Sequence, residues 1–273
     1  MRSHMHVDLP PILRHKHYER ESVFKPENLL REAKRQKSTS DGNVPSICIL
    51  DPDGDIVRYL RLTNGARLNA SWACYHTELY DFEYDGITLG IVGLAVGAPF
   101  AVLVAEELFA SGCGLLISIT SSGEILPRQG TPYFVLIERA LRDEGTSYHY
   151  MAPSDYASIG ARHLAMLSHA FVGLTTPVLR GTTWTTDAPF RETGVAIEQA
   201  RSEGILAVEM EAAALYAFSE ARGRPVVCFA YVTNQMGQSH NDFEKGEAGG
   251  APVSLGLVAA TAKAWLSGRK GHT

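Results

Sequence analysis

Residues 87–120 read ITLGIVGLAVGAPFAVLVAEELFASGCGLLISIT, and the order of runs and breaks in them sets the fold class. Positions 87–96 form an apolar run with no polar alternation, as expected of an interior strand covered on both faces. Gly97-Ala98-Pro99 breaks the run, and 100–110 is long enough and rich enough in Ala, Leu and Glu to be a helix, with Gly112 and Gly114 as stop signals. Positions 115–120 (LLISIT) are a second buried strand that ends in Ser121-Ser122-Gly123-Glu124. Strand, glycine turn, helix, strand is the βαβ unit of a parallel sheet.

The same style continues outward on both sides. Upstream, SICIL at 46–50 is a short strand apolar on both faces, and Asp51-Pro52-Asp53-Gly54-Asp55 after it is a turn by composition. Downstream, 204–208 leads into an alanine-rich helix over 209–221, closed by Gly223. VVCFAYVT at 226–233 is then a strand ending at Asn234, 237–251 is a glycine-rich polar loop, and 254–266 is a closing helix. The first 45 residues are polar, carry Pro10, Pro11, Pro26 and Pro45, and hold one short helix at 27–37. They are expected to be an arm, with 46–273 as a single catalytic domain. The 273 residues suit one large domain or two small ones, and no linker or fixed-period repeat divides them.

Composition narrows the function classes. A net charge of -5 and a pI near 6.1 disfavour nucleic acid as a partner. Cys48, Cys74, Cys113 and Cys228 lie far apart with no CxxC pair, so neither a zinc site of usual spacing nor any other metal site is expected. Buried, unpaired cysteines suit a reducing compartment, here the cytoplasm. No run approaches the ~18 apolar residues of a membrane span, and the polar start lacks the apolar core of a signal peptide.

In open α/β sheets ligands sit beyond the carboxyl ends of the strands. That rule selects 51–55, 93–99, 120–124 and Asn234 with its successors, and helix starts among them offer N–H groups to an anion. Geometry alone therefore points to a small polar ligand without naming it. A serine hydrolase built from Ser121 or Ser122 with His240 and Asp242 lacks the G-x-S-x-G elbow.

Three motifs go further. Ala207-Val208-Glu209-Met210-Glu211-Ala212-Ala213-Ala214-Leu215 resembles the VEMEAA helix motif of the nucleoside phosphorylase family. Residues 185–193 (TTDAPFRET) resemble the segment that precedes it in the uridine phosphorylase branch, and Tyr231-Val232-Thr233-Asn234 resembles the strand end that follows it. The resemblance runs more weakly from about Ser46 to the last helix. It implies an α/β fold, a three-layer αβα sandwich around a mixed, mostly parallel, distorted central sheet. It also implies cleavage of a nucleoside N-glycosidic bond, without a cofactor and with inorganic phosphate as co-substrate. Glu211 would bind ribose hydroxyls, Met210 would pack on the sugar, and Glu209 would stand beside them or serve structure. His15 (or His17) would reach the sugar from an adjacent subunit of a homo-oligomer, a dimer or a hexamer built as a trimer of dimers.

Asn234 stands where purine-cleaving relatives carry an aspartate, which favours the pyrimidine branch. There Phe190, Arg191 and Gln235 would face the base, although that branch usually has Arg at the position of Gln235, and its clamp glutamine is missing. The acceptor site would combine Gly97, Ser121 and Ser122 with Glu124 nearby. The family's phosphate arginines fall at Ile56, Ser118 and near Tyr75–His76, leaving Arg58, Arg67 or His76 to supply positive charge. Two alternatives follow from those departures. One is a hydrolytic nucleosidase with Glu124, Asp53 or Asp55 as general base, and the other is a nucleoside-binding protein without turnover.

Overall fold

The computed structural model describes residues 9–40, 42–128, 130, 132–236 and 244–270. An N-terminal segment with a 3-10 turn at Pro11–Leu13 leads to α1 (Pro26–Lys37). The sheet then begins with β1 (Ile47–Asp51), followed by α2 (Asp55–Leu62), β2 (Ala66–Leu68), β3 (Leu79–Tyr84), β4 (Ile87–Gly93) and α3 (Ala98–Ala110). Next come β5 (Leu115–Glu124), β6 (Tyr133–Asp143), β7 (Tyr156–Ser158), α4 (Ala161–Met166), β8 (Val178–Thr186) and α5 (Gly194–Ser202). β9 (Ala207–Glu209), α6 (Ala212–Arg222), β10 (Val226–Asn234) and α7 (Ala251–Lys270) complete it.

The strands form one sheet in the order β10-β6-β8-β9-β5-β1-β4-β3-β2, with β7 on β6. Two parallel blocks make it up, β4-β1-β5-β10 and β6-β8-β9. They join through the antiparallel pairs β10–β6 and β5–β9. Because β10 bonds to both β5 and β6, the strands β10, β6, β8, β9 and β5 close on themselves, which is the distortion the resemblance implies. Every residue of β1 and of β10 is buried, as unbroken apolar strands covered on two faces should be. Helices α1, α3 and α6 pack in series as one layer, and α2, α7 and α4 as the other.

Two bulges aim side chains. In β6 the register slips between Ile137 and Arg139, and the Tyr216 hydroxyl from α6 donates to Ile137 O (2.6 Å) while accepting from Cys228 N (3.1 Å). One buried phenol thus ties α6 to β6 and β10. In β10 the register slips between Val232 and Asn234, and such an extra residue re-aims the side chains after it.

The N-terminal segment lies on its own chain. Leu30 and Ala33 of α1 bury against Ala73 and Ala110, and the Lys16 Nζ lies 2.8 Å from His149 Nδ1. Among the described residues no helix is long and apolar enough to cross a membrane. No group of three or more His, Cys, Asp or Glu among them is arranged to hold a metal.

Candidate active site

Glu211 sits at the start of α6, 1% exposed, yet its carboxyl does not cap that helix. The first N–H groups of α6 are satisfied from elsewhere. Glu209, the last residue of β9, turns its Oε2 to accept from Glu211 N and Ala212 N, both at 2.7 Å. Its Oε1 accepts from the Thr183 (3.1 Å) and Thr185 (2.5 Å) hydroxyls. Thr185 Oγ1 in turn accepts from Ala213 N at 2.9 Å. All of Glu209's bonding capacity is thereby committed to protein. Its expected place among sugar-binding residues is corrected: it is a buried cap, and burial pushes its pKa up against those hydrogen bonds.

Released from capping, Glu211 reaches the opposite helix start. Its Oε1 accepts from Gly97 N at 2.7 Å. Gly97 has φ 88 and ψ 150 at the head of α3, a conformation open only to glycine, and this turns its N–H toward the carboxyl. Among the described residues Oε2 is buried with no hydrogen-bond partner. Burial first, and then the Glu209 charge, raise the Glu211 pKa to about 8, with Asp53 adding to the push. A buried polar atom left without a partner costs ~1–3 kcal/mol, a cost that a ligand hydroxyl, able both to donate and to accept, removes.

Across β5 lies a second cluster. Ser121 N and Oγ donate to Asp53 Oδ2 and Oδ1, each at 2.7 Å. Lys245 Nζ is 3.3 Å from Asp53 Oδ1 and 2.7 Å from Asp55 Oδ2, and Arg58 Nη1 is 2.7 Å from Asp55 Oδ1. The free space beside Asp53, Ser121, Tyr231 and Lys245 is about 20 Å³, room for one water. Asp51 is buried at its back, its pKa raised to about 7 by burial despite the bond from Val57 N.

Several expected acceptor residues lie elsewhere. Successive side chains of a strand point to opposite faces, so Ser122 and Glu124 face away from Ser121. Ser122 Oγ bonds Thr120 O (3.3 Å) and Glu124 accepts from the Tyr133 hydroxyl (3.0 Å). Arg58 and His76 line a separate cleft of about 560 Å³ with Gly54, Arg61, Tyr80 and Leu94. Arg58, one turn into α2, lines that cleft while its Nη1 stays on Asp55 at the margin of the cluster. Arg67 lies on the outer strand β2, away from this cluster in the sheet order.

Asn234, expected near the base, ends β10 buried. Its Oδ1 accepts from Met236 N (2.9 Å), and among the described residues Nδ2 makes long bonds to Ser122 O (3.5 Å) and Thr233 Oγ1 (3.3 Å). Met210 is half-buried beside Glu211, and Gln235 is exposed next to Asn234. Phe190 and Arg191 share an exposed 3-10 turn at Pro189–Arg191, with the Phe190 ring 100% exposed. His15 is exposed on the arm. The His240 and Asp242 of the hydrolase alternative, and 237–243 of the expected loop, lie outside the described residues.

Two residues of this site have no counterpart among the sequence candidates. Thr185 sits one strand away in sequence from the motif it supports; its signal was the i, i+2 pair Thr183/Thr185, which shares a strand face. Lys245 was signalled only as the lone Lys or Arg of 237–251.

Residues 47–263 match the Phosphorylase superfamily. A guanosine phosphorylase of Halorubrum lacusprofundi is 26% identical over 184 residues, 67% of this chain and 76% of that protein. A uridine phosphorylase of Thermococcus kodakarensis is 24% identical over 216 residues, 68% of this chain and 78% of that protein. The crystal structure of uridine phosphorylase from Vibrio fischeri ES114 shares the fold with a TM-score of 0.67 at 22% identity, covering 84% of this chain and 94% of that one.

Proposed function

The chain belongs to the Phosphorylase superfamily, and on that premise we propose that it cleaves the N-glycosidic bond of a nucleoside and transfers the ribosyl group to inorganic phosphate, in the manner of a uridine phosphorylase. The observation that carries this reading is the buried Glu211 carboxyl, held on one oxygen by Gly97 N and bare on the other. A ribose hydroxyl donating to Oε2 satisfies it. That hydrogen bond also favours the ionised form, so the carboxylate gains charge as the sugar arrives.

In the reaction, a phosphate oxygen bonds to C1′ as the C1′–N bond breaks. The bonding pair passes to the base nitrogen, which takes a proton from solvent. The sugar carries oxocarbenium character in between, which a nearby carboxylate stabilises. Asn234 has an amide N–H to offer a base carbonyl and no acidic proton to give. We assign base recognition to Phe190 and Arg191 as well, on the exposure of the turn that carries them. The curated relatives act, by name, on guanosine and on uridine, and we propose a pyrimidine on the strength of Asn234.

The test is release of free base from a panel of nucleosides with and without phosphate. Phosphate-dependent release of uracil supports the proposal; binding without release from any nucleoside refutes it. A second reading is favoured by one observation: Asp53 occupies the Ser121 donors and leaves space only for water. Phosphate-independent release would make water the acceptor and Asp53 its base. We further propose a homo-oligomer, dimer or hexamer, in which His15 of one copy reaches the sugar of another. A monomer by light scattering at micromolar concentration would refute that assembly.

A further inference from the structure

The donors at Ser121 form a slot for two oxygens of one anion, and the chain fills the slot with its own carboxylate. Asp53 Oδ2 takes the Ser121 N–H, and Oδ1 is shared between Ser121 Oγ and Lys245 Nζ. Any oxyanion that placed one oxygen at each of these points would find the same three donors.

Asp53 is not what holds its turn together. Asp51 does that: its carbonyl accepts from Gly54 N and Leu94 N, both at 3.0 Å, and its Oδ2 accepts from Val57 N at 2.9 Å. Asp53 therefore can leave Ser121 without undoing the turn, and Gly54 beside it takes φ 76 without strain. Lys245, by contrast, is fixed from behind, its carbonyl accepting from the Tyr231 hydroxyl at 3.0 Å. Burial works to lower the lysine's pKa, and the Asp53 and Asp55 charges outweigh it, so the ammonium stays charged. The unpartnered Oε2 of Glu211 stands in the same electrostatic neighbourhood, since the Asp53 charge is felt there.

We propose that Ser121 N, Ser121 Oγ and Lys245 Nζ are the acceptor-oxyanion site of this protein, and that Asp53 is its built-in occupant, which phosphate must displace. This rests on the phosphorolytic reading above. Lys245 supplies the site's positive charge, held in place by Asp55 at 2.7 Å, and Asp53 sets how much phosphate is needed to open the site.

The test is isothermal titration of the full-length protein with sodium phosphate, without nucleoside. Asp53→Ala is expected to bind phosphate at least about tenfold tighter than the parent, and Lys245→Met at least about tenfold weaker, ~1.4 kcal/mol each. Asp53→Asn, which keeps the shape of the side chain, is expected to tighten binding in the same direction, and serves if Asp53→Ala loses its far-UV circular dichroism. Unchanged affinity in both Asp53 variants, or in Lys245→Met, overturns the proposal. So does loss of base release in Asp53→Asn with no gain in phosphate affinity, which makes Asp53 a base for water. Tighter phosphate binding with no turnover of any nucleoside leaves this site standing and removes the nucleoside reading instead.

Discussion

Replacing Glu211 with glutamine separates the two things its carboxyl does. In the folded protein the group holds its proton up to about pH 8, against a reference value of 4.5. The unfolded chain releases that proton near the reference value. Between these two pH values the unfolded state binds fewer protons, so stability falls as pH rises, and it levels off above about 8. At about 1.36 kcal/mol per pH unit, the full loss is on the order of 5 kcal/mol. Glutamine has no proton to lose, and its Oε1 keeps the bond from Gly97 N. Urea unfolding of both proteins, followed by circular dichroism from pH 5 to 9, reads the difference. Asp51, with its pKa near 7, tilts both curves alike and cancels in the comparison. The expected outcome is that Glu211→Gln gains several kcal/mol relative to the parent between pH 5 and 9, while kcat/KM drops by at least ~100-fold, about 2.7 kcal/mol of transition-state stabilisation. Parallel stability curves would show that the buried carboxyl is ionised in the empty site and would refute the reasoning.

Thr185→Val removes one of the two hydroxyl donors to Glu209 Oε1 and the acceptor of Ala213 N; one buried N–H goes unsatisfied, and unfolding free energy should fall by ~1–3 kcal/mol, read by denaturant titration. Gly97→Ala meets open space at its Cβ, so its cost is backbone strain, ~1–3 kcal/mol. It should lower kcat more than it lowers Tm, because it turns the N–H away from Glu211. Phe190→Ala leaves a fully exposed site and should not move Tm, yet should raise the nucleoside KM several-fold; an unchanged KM takes the ring out of base recognition.

The interior of the fold was legible because its strands are continuous apolar runs. SICIL at 46–50 became β1 at Ile47–Asp51, and the helices expected at 27–37 and 254–266 became α1 and the longer α7. Strands that alternate polar with apolar were harder to see. β3 and β8 mix Asp, Glu, Arg or Thr among their apolar residues and give no clean run, and β6 is a clean run only over its first five residues. The start of α6 was placed at Glu209 on composition. It begins three residues later, because Glu209 is held in β9 by two threonines while its own carboxylate caps the helix. Glu211 was legible from its motif alone. Sequence proximity does not tell the face of a strand: Ser122 and Glu124 follow Ser121 in the chain and point to the other side of β5. Lys245 is remote in sequence from Asp53 and Ser121, and only the topology brings it to them.

The closed loop of strands has a mechanical consequence. β5, β6, β8, β9 and β10 have no free edge along that circuit, so no strand of it can slide or peel by itself. β1, β4, β3 and β2 extend from it as a wing, hinged along the β1–β5 ladder. Ser121, Glu211 and Asn234 are mounted on or beside the circuit, whereas Asp53 and Gly97 follow wing strands. The Gly97–Glu211 and Ser121–Asp53 hydrogen bonds therefore tie the wing to the closed circuit beyond the β1–β5 ladder itself. A ligand that displaces Asp53 or bonds Glu211 acts on the seam between circuit and wing.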